Sequence, residues 1–301
     1  MPETQNKSNP APVRLAVVTE TWPPEINGVA LTLEHLVHGL LDSGRYRIEL
    51  VRPRQADERG VFRHPALQQH LARGWRLPFY PEVRLGLPQY WRLRRQWQLQ
   101  RPDIVQIVTE GPLGYSALRA ARALAIPVFS DFHTHFDQYS RHYHAAGLFR
   151  LAGRYLRHLH NQTAMTLAPT RALVERLQQQ GYERLGVLER GVDTQLFNPQ
   201  RRSQALRDQL GIAPDQLLVG LVTRMAREKN LDMAFRVFRA IQQAVPEARF
   251  LLVGDGPERQ RLRQANPDVQ LPGCNAVQHW LLITLRRTCS FIRVPPKPSA
   301  M

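Results

Sequence analysis

Two stretches of the sequence combine residue types that bind phosphate. The first, "TETWPPEINGVA" (residues 19–30), follows a short apolar run and places Gly28 at the predicted start of a helix. A glycine there predicts a tight turn, and the free N–H groups and dipole of a helix N-terminus attract anions. The alternative is a glycine that only permits the turn, which the stretch in isolation favours. The sequence has no G-x-G-x-x-G here, so dinucleotide binding is not indicated.

The second stretch is "LVTRMAREKN" (residues 221–230), in which Arg224 ends a predicted strand and Lys229 precedes a predicted helix. Two cations beside a helix N-terminus suit a pyrophosphate, whose negative charge grows as it departs in a transfer reaction. An ordinary solvated charge cluster is the alternative, since Arg227 and Glu228 lie between the two cations. The residues alone leave both interpretations open.

Strand-like and helix-like runs alternate along the chain, which predicts an α/β fold with a parallel sheet and helices on both faces. The predicted strands are residues 14–19, 47–53, 103–110, 126–132, 164–170, 217–224 and 248–257, with another starting at 268. The predicted helices follow residue 28, surround residues 115–124, and cover 142–160, 171–180, 230–241 and 257–265. Thr170 is the expected N-cap of the fourth of these helices, and Gly181 ends it.

Two of the predicted helices carry an apolar stripe at helical spacing. The stripe of the first helix comprises Val29, Leu33, Leu36, Val37 and Leu40, and that of the third comprises Leu148, Leu151, Tyr155 and Leu159. The turn-rich stretch "GVDTQLFNPQRRS" separates two cycles of alternation. We therefore expect two Rossmann-like domains, residues 13–185 and 186–273, with a ligand site in the cleft between them, beyond the carboxyl ends of the strands.

The charge of the 301-residue chain indicates an anionic partner. Lys and Arg number 41 against 25 Asp and Glu, a formal net charge of +16, and Lys7, Lys229 and Lys297 are the lysines. Arginine matches phosphate and carboxylate, but charge does not choose among nucleic acid, lipid and phosphorylated substrate. Cys274 and Cys289 form no metal-ligand pattern, and the polar start and lack of a bilayer-spanning apolar run lead us to expect a cytoplasmic protein.

Five segments occur in an order that carries a resemblance: "TETWPPEINGVA", "DFHTHFDQY", "ERGVDTQLFNP", "TRMAREKN" and "LVGDGP". Over residues 13–273 the chain resembles the family-four retaining glycosyltransferases of the GT-B fold, and among them the GDP-mannose-dependent alpha-mannosyltransferases. The resemblance implies transfer of a sugar, with mannose favoured, from a nucleotide diphosphate sugar to a lipid or glycan acceptor. It implies no metal and no cofactor beyond this co-substrate, for which GDP-mannose is favoured.

The resemblance also assigns roles to residues. Gly28 is implied to lie under the donor phosphates, His133 to be the active-site histidine that reaches the transferred sugar, and Arg224 and Lys229 to hold the leaving pyrophosphate. The family usually has glycine where this chain has Thr223, which makes the turn before Arg224 less free. Residues 131–160 contain six histidines without an H-E-x-x-H pattern, so a zinc site is not expected, and the family pattern favours His133 over His135.

The segment "YWRLRRQWQLQRPD" (Tyr90 to Asp103) mixes arginine with tryptophan. Such a segment can lie on an anionic membrane surface, with its aromatic rings at the headgroup level. The alternative, which the segment itself favours, is a helix with buried tryptophans and solvated arginines. The lipid acceptors of the family raise the expectation of peripheral binding to the inner face of the membrane. Nucleic-acid binding has no support beyond charge.

Residues 274–301 break the pattern. The resemblance implies an E-x7-E segment that engages the donor, but no Asp or Glu follows Asp268. We interpret this segment as an aberrant tail, produced by a frameshift or another truncating alteration, after an incomplete second domain. Little or no transferase turnover is expected as a result. Two alternative functions are a sugar-nucleotide epimerase on the same architecture and a non-catalytic fragment that binds anionic membrane.

Overall fold

The computed structural model of the protein describes residues 11–25, 27–55, 62–77, 80–133, 146–191, 194–195, 198, 200 and 202–273. The protein divides into two compact units, Met1–Gly191 and Val192–Met301. The segment 274–301, interpreted above as an aberrant tail, lies outside the described residues.

A parallel sheet forms the centre of the first unit. Its strands are β1 (Val13–Val18), β2 (Tyr46–Pro53), β3 (Leu67–Ala72), β6 (Ile104–Ile107), β7 (Val128–Asp131), β8 (Met165–Ala168) and β9 (Leu185–Val187), and β4 (Gly74–Leu77) and β5 (Tyr80–Gly86) form a separate antiparallel hairpin. Within the described residues the sheet has seven strands, in the order β3-β2-β1-β6-β7-β8-β9. The strand order therefore reverses between β1 and β6, which is where doubly wound sheets bind ligands.

Helices connect these strands. They are α1 (Gly28–Asp42), α2 (Tyr90–Leu99), α3 (Pro112–Ala123), α4 (Ala146–His160) and α5 (Arg171–Gln179). The predicted α/β class with a parallel sheet is confirmed. No helix in the described part of the chain has the length and apolar character needed to cross a bilayer.

The position of β1 in the sheet follows from its sequence, "VRLAVV". Leu15 and Val17 pack with the apolar residues of α1, whereas Ala16 and Val18 belong to the cluster that includes Trp97 of α2. Successive side chains of a strand point to opposite faces. Because both faces of β1 carry apolar residues, the strand is buried on both sides, as central parallel strands are.

The predicted ends of α5 are confirmed. The Leu173 N–H donates to Thr170 Oγ1 at 3.2 Å, which makes Thr170 the N-cap. Gly181 follows the helix with φ +82°, a left-handed conformation that glycine adopts without steric cost. The Tyr182 N–H then donates to the Leu177 carbonyl at 3.0 Å and closes the last turn.

The two apolar stripes differ in burial. In α1, Leu33 and Val37 are buried, and Val29, Leu36 and Leu40 pack against the same core. In α4, Leu159 is buried, but Leu151 is 63% exposed and Tyr155 is 37% exposed. The side chain of Leu148 lies outside the described part. Two residues of the predicted α4 stripe, Leu151 and Tyr155, are therefore exposed. The buried face of α4 includes Leu156, which the predicted stripe did not contain.

The sequence prediction missed β3 and the β4–β5 hairpin. The sequence of β3, "LQQHLA", has polar residues at its centre and lacks a clear apolar alternation. β3 is the edge strand beside β2, and the buried Arg52 donates to Gln69 Oε1 at 3.1 Å from Nε and 3.0 Å from Nη2. An edge strand that pairs polar groups in this way gives no hydrophobic signal.

The division between the two units follows β9. Gly186 of β9 pairs with Leu167 of β8, so residues 185–187 complete the first sheet. The sequence prediction placed the boundary between residues 185 and 186, whereas the structure divides after Gly191. A three-residue strand is too short to show the alternation that would distinguish it from a linker.

The second unit contains the parallel strands β10 (Leu218–Val222) and β11 (Arg249–Val253) and the helices α6 (Gln204–Gln209), α7 (Leu231–Ala244) and α8 (Arg259–Ala265). Gln270 forms a further bridge to Leu251 of β11. Phe235 and Phe238 of α7 pack on Phe250 of β11, with ring centroids 5.5 and 4.5 Å away. The predicted elements of this part, 217–224 through 257–265, are all present.

Helix α2 has the buried face of a packed helix and one exposed tryptophan, and the membrane-surface interpretation stays a prediction. Leu93 and Trp97 are buried in the core, as expected for a packed helix, whereas Trp91 is 72% exposed. Trp97 Nε1 donates to Glu49 Oε1 of β2 at 3.1 Å, and Gln96 Nε2 donates to the same oxygen at 2.7 Å. Burial raises the pKa of Glu49 from 4.5 to about 7. Burial therefore favours the protonated form of Glu49 much more than it would be favoured in water.

We expect Glu49→Gln to change how stability depends on pH. A carboxyl with a raised pKa in the folded state binds protons more tightly there than in the unfolded chain. Its contribution to the free energy of unfolding is therefore present below pH 4.5 and is lost as the pH rises toward about 7. The loss amounts to about 1.4 kcal/mol for each unit of raised pKa.

Urea unfolding at pH 5 and pH 8 measures this effect. The Glu49→Gln variant should lose less stability between the two pH values than the parent does. Glu183→Gln, at an exposed carboxylate, is the matched control and should behave as the parent. Equal pH dependence in parent and Glu49→Gln would contradict the prediction.

Candidate active site

The loop between β1 and α1 is held by its own side chains. Asn27 Oδ1 accepts from the N–H groups of Val29 and Ala30 at 3.1 and 2.8 Å, and Asn27 Nδ2 donates to Thr21 Oγ1 at 2.6 Å. The sequence analysis expected free N–H groups at this helix start. Asn27 occupies two of them, as an N-cap residue does. An anion over exposed Gly28 therefore needs additional positive groups.

His133 provides the first link to such a group. It follows β7, whose last residue, Asp131, is almost fully buried. His133 Nε2 lies 3.8 Å from Asp131 Oδ2, and Gln106 Nε2 donates to this oxygen at 2.8 Å. Asp131 Oδ1 is buried and has no hydrogen-bond partner among the described residues. Asp131 therefore supports the imidazole from the interior of the unit.

Arg190 is the second link, and the sequence analysis did not assign it a role. Its Nη2 lies 3.3 Å from His133 Nδ1. A guanidinium only donates, so Nδ1 of His133 is the acceptor in this contact. Arg190 Nη1 is also 3.8 Å from the position that a Cβ on Gly28 would take. Arg190 thus joins Gly28 and His133 into one cluster. Arg190 and His133 are 57 residues apart in sequence.

Glu20 occupies the point where the strand order reverses. Its Oε1 accepts from the Leu113 N–H at 3.0 Å at the start of α3, and the Gly86 N–H also binds the carboxyl. A Cβ on Gly111 would lie 1.8 Å from Glu20 Oε2, so glycine is required there. Burial raises the pKa of Glu20 to about 7. The N-terminus of α3 is filled by the protein's own carboxyl group and is closed to a ligand anion.

Glu110, after β6, contacts a buried polar cluster. Its Oε1 lies 3.3 Å from Nε2 of His160, a fully buried histidine of α4. His160 Nδ1 lies 2.9 Å from Ser130 Oγ. Tyr155 OH donates to the Glu110 carbonyl at 2.6 Å, and burial raises the pKa of Tyr155 to about 12. These contacts tie α4 to β6 and β7, so His160 is a packing histidine.

The remaining histidines of this region have different positions. His158 is exposed on α4. His135, His142 and His144 lie outside the described residues, so the preference for His133 over His135 stays a prediction.

Arg224 and Lys229 lie on one loop of the second unit, between β10 and α7. Both are exposed, and no carboxylate of the described residues lies within ion-pair distance of either. Arg227, between them, instead approaches Glu258, with 3.5 Å from Nε to Oε1. The loop thus carries two unneutralised cations rather than a fully paired charge cluster.

The loop after β11 supports this cationic loop. Gly254 (φ +142°) and Gly256 (φ +154°) have conformations that other residues rarely adopt. A Cβ on Gly254 would lie 2.0 Å from the Thr223 carbonyl oxygen, and one on Gly256 would lie 2.3 Å from that of Met225. The two loops therefore touch through their backbones on both sides of Arg224. Thr223 itself is not among the described residues with positive φ, so its turn does not require glycine.

Of the four predicted site residues, the structure brings Gly28 and His133 together through Arg190. It places Arg224 and Lys229 together on the cationic loop. The expected cleft between the domains stays a prediction. Arg190 lies in the segment "ERGVDTQLFNP", and its position in that segment was the one available sequence signal.

Comparisons with known proteins identify the family. The model of Glycosyltransferase Family 4 matches residues 26–196, and that of Glycosyl transferases group 1 matches residues 202–271. A GDP-mannose-dependent alpha-mannosyltransferase of Mycobacterium tuberculosis (strain CDC 1551 / Oshkosh) is 32% identical over 87% of this chain and 68% of its own length. The corresponding enzyme of Corynebacterium glutamicum is 28% identical over 87% of this chain and 62% of its own length. An alpha-monoglucosyldiacylglycerol synthase of Acholeplasma laidlawii is 26% identical over 82% of this chain and 64% of its length.

Solved structures show the same fold. HepE of Anabaena in complex with UDP and glucose has a TM-score of 0.63 at 18% identity, covering 90% of this chain and 72% of HepE. Sucrose-phosphate synthase of Thermosynechococcus elongatus has a TM-score of 0.64 at 13% identity, covering 90% and 73%. The chain spans about two thirds of the length of the curated relatives named above. With a family match over more than half of its residues, the chain belongs to Glycosyltransferase Family 4 and is a glycosyltransferase of the GT-B fold.

Proposed function

We propose that the protein has the donor site of an enzyme that transfers mannose from GDP-mannose to a lipid or glycan acceptor, with retention of configuration and without a metal, and that the transfer step is impaired in this chain because it lacks the E-x7-E glutamates. The observation that carries this proposal is the pair of unneutralised cations, Arg224 and Lys229, on the loop after β10. The names of the relatives support the donor, since two of them are GDP-mannose-dependent alpha-mannosyltransferases. The name of a third relative, an alpha-monoglucosyldiacylglycerol synthase, supports a lipid acceptor.

In this proposal the residues of the cationic loop and of the Gly28–His133–Arg190 cluster have separate roles. Arg224 and Lys229 bind the pyrophosphate and stabilise the charge that grows as it leaves. Arg190 and the backbone at Gly28 bind a phosphate oxygen in the first unit, and His133 orients the transferred sugar. Arg190 contacts Nδ1 of the imidazole and Asp131 lies 3.8 Å from Nε2, which restricts the orientation of the ring.

The epimerase alternative needs a pair of carboxylates free for acid–base work near the sugar. Of Glu20, Glu110 and Asp131, the first two are engaged with the α3 N-terminus and with His160, and only Asp131 has a buried oxygen without a partner, so these residues offer no free pair. This arrangement favours a transferase.

A second candidate function is binding to an anionic membrane surface. Trp91 at the start of α2 is 72% exposed, Trp75 on the β4–β5 hairpin is 69% exposed, and Leu87, between these elements, is also exposed. Arg92 and Arg95 of α2 are exposed as well. Exposed tryptophans beside arginines suit a headgroup layer of anionic lipids. Such binding would bring the first unit to a lipid acceptor.

Donor binding tests the primary proposal. We expect GDP-mannose, but not UDP-glucose, to raise the melting temperature of the parent, because a ligand that binds only the folded state stabilises it. Arg224→Ala and Lys229→Ala should each abolish most of this shift. Arg236→Ala, at an exposed arginine of α7, is the matched control and should keep it. An equal shift in parent and Arg224→Ala would sink the proposed site.

Arg190→Gln tests the cluster in the first unit. We expect this change to weaken GDP-mannose binding by about 10- to 100-fold, because it removes a charged hydrogen-bond donor to phosphate. Titration of the melting-temperature shift with GDP-mannose measures the affinity. Arg171→Gln, an exposed arginine at the start of α5, should leave the affinity within twofold of the parent. Unchanged affinity in Arg190→Gln would remove Arg190 from the site.

Vesicle binding tests the second candidate. The parent should cosediment with vesicles rich in phosphatidylglycerol and less with neutral ones. The double variant Trp75→Ser/Trp91→Ser should bind roughly tenfold more weakly, since each tryptophan loses apolar burial. Leu151→Ser, another exposed apolar position, should bind as the parent does. Equal binding by all three proteins would show that charge alone holds the protein to the vesicle.

The loss of turnover expected from the sequence stays a prediction. Segment 274–301 contains no acidic residue that could take the role of the E-x7-E glutamates. We therefore expect donor binding without appreciable release of GDP when GDP-mannose and a diacylglycerol acceptor are mixed with the protein. Measured steady-state turnover would contradict this expectation.

A further inference from the structure

A cavity of about 640 Å³ lies at the amino ends of β1, β2 and β3, and its polar lining includes Arg14, Arg47, Glu49, Gln68, Gln100 and Arg101. Its volume falls within the range of small-molecule sites. The candidate active site lies at the carboxyl ends of the strands. Because β1 has six residues and a strand rises about 3.3 Å per residue, roughly 20 Å separates the two edges of the sheet.

Two arginines lie side by side in this cavity. Arg14 of β1 and Arg47 of β2 are partners in the parallel register, and both are exposed. Their strands are adjacent, about 4.8 Å apart. Ala16 and Val51, which have the same parity as Arg14 and Arg47 on their strands, belong to the core cluster that contains Trp97. The two arginines therefore share the α2 face of the sheet, where like charges in register are unfavourable.

The protein offers this pair only a partial counter-charge, because burial of Glu49 raises its pKa more than the positive charge of Arg14 lowers it. Within the described residues no carboxylate lies at ion-pair distance from the guanidinium of Arg14 or Arg47. Asp103 is close, but its Oδ2 accepts from the backbone N–H of Arg14 at 2.8 Å. The third arginine, Arg101, donates to the carbonyls of Leu124 and Ala125 at 2.6 and 3.0 Å. Arg14 and Arg47 thus keep their side-chain donors available to a ligand. Arg101 lines the cavity, but its guanidinium is bonded to backbone carbonyls.

Glu49 lies two residues beyond Arg47 on the same face, and its surroundings reduce its ability to neutralise the arginines. Its Oε1 already accepts from Gln96 and Trp97, and His70 Nε2 lies 3.8 Å from the same atom. Burial favours the neutral carboxyl over the charged form. The cavity thus combines two cations with a carboxyl group that already accepts hydrogen bonds from Gln96 and Trp97.

We propose that this cavity binds a small phosphate monoester, with Arg14 and Arg47 holding the phosphate. Paired guanidinium groups match the oxygens of a phosphate dianion through charged, forked hydrogen bonds. The amides of Gln68 and Gln100 line the same cavity and offer donors and acceptors to hydroxyl groups. The volume exceeds that of a bare phosphate, which favours an ester of hexose size. This site is separate from the proposed transferase site and does not depend on it.

Calorimetric titration at constant ionic strength tests the proposal. The probes are mannose 6-phosphate, inorganic phosphate and mannose, added to the Arg224→Ala/Lys229→Ala background so that the cationic loop does not contribute. Mannose 6-phosphate should bind with one-to-one stoichiometry, and Arg14→Gln and Arg47→Gln should each weaken binding about tenfold or more. Glu49→Gln should keep or strengthen binding, because it removes a negative charge while retaining an oxygen for Gln96 and Trp97. The matched control is the double variant Arg171→Gln/Arg236→Gln, which removes two exposed arginines elsewhere.

The outcomes separate the sources of the ligand. Tighter binding of mannose 6-phosphate than of phosphate assigns the cavity to an ester. Equal binding assigns it to free phosphate. In both cases Arg14→Gln and Arg47→Gln must lose affinity. The absence of saturable binding by either anion overturns the proposal. So does an equal loss of affinity in the Arg171→Gln/Arg236→Gln control, because binding would then follow net charge. Thermal unfolding of each variant confirms that the loss is not due to unfolding.

Discussion

The bond between Glu20 and the N-terminus of α3 is the constraint around which the first unit is built. A buried carboxyl needs hydrogen-bond donors, and the first turn of a helix has donors without acceptors. The two satisfy each other at the point where the strand order reverses, and Gly111 leaves the space for the carboxyl oxygen. Asn27 satisfies α1 in the same way. With the α3 start closed and two N–H groups of α1 occupied, a bound phosphate also needs positive charge from side chains, which gives Arg190 its importance.

The parts of the fold that were predictable from sequence are those with local signals. The apolar stretches of β1 and β10, the cap at Thr170 and the glycine after α5 were all legible in a few neighbouring residues. β3 was not, because its polar residues Gln69 and His70 bond to Arg52 of β2 and Gln96 of α2 at the sheet edge instead of alternating with apolar ones. β9 was too short to show any period.

The site was predictable only in part for a similar reason. Residue types and their positions singled out Gly28, Arg224 and Lys229 as candidates, and the resemblance to a family, whose motifs are local, added His133 and assigned the roles. Arg190 and Glu20 act through partners 57 and 93 residues away, His133 and Leu113. Contacts of that range depend on the strand order, which residue spacing does not encode.

The net charge of the protein is a poor guide to where anions bind, because many of its arginines serve the fold. Buried Arg207 donates through Nη2 to the carbonyls of Ala213 and Gln216, each at 2.6 Å. Arg101 and Arg52 bind backbone carbonyls in the same manner. A guanidinium used in this way satisfies chain ends and turns that would otherwise need water. The arginines available to ligands are those whose guanidinium groups make no such bonds.

The backbone contact at Gly254 and Gly256 has a mechanical consequence. The carbonyl oxygens on either side of Arg224 contact two glycines. No flexible side chain therefore lies between the two loops to accommodate a displacement of either one. A displacement of the turn beyond β11 is therefore transmitted to the cationic loop that carries Arg224. A molecule bound near Asp255 would therefore change the orientation of the Arg224 side chain without moving β10 or β11.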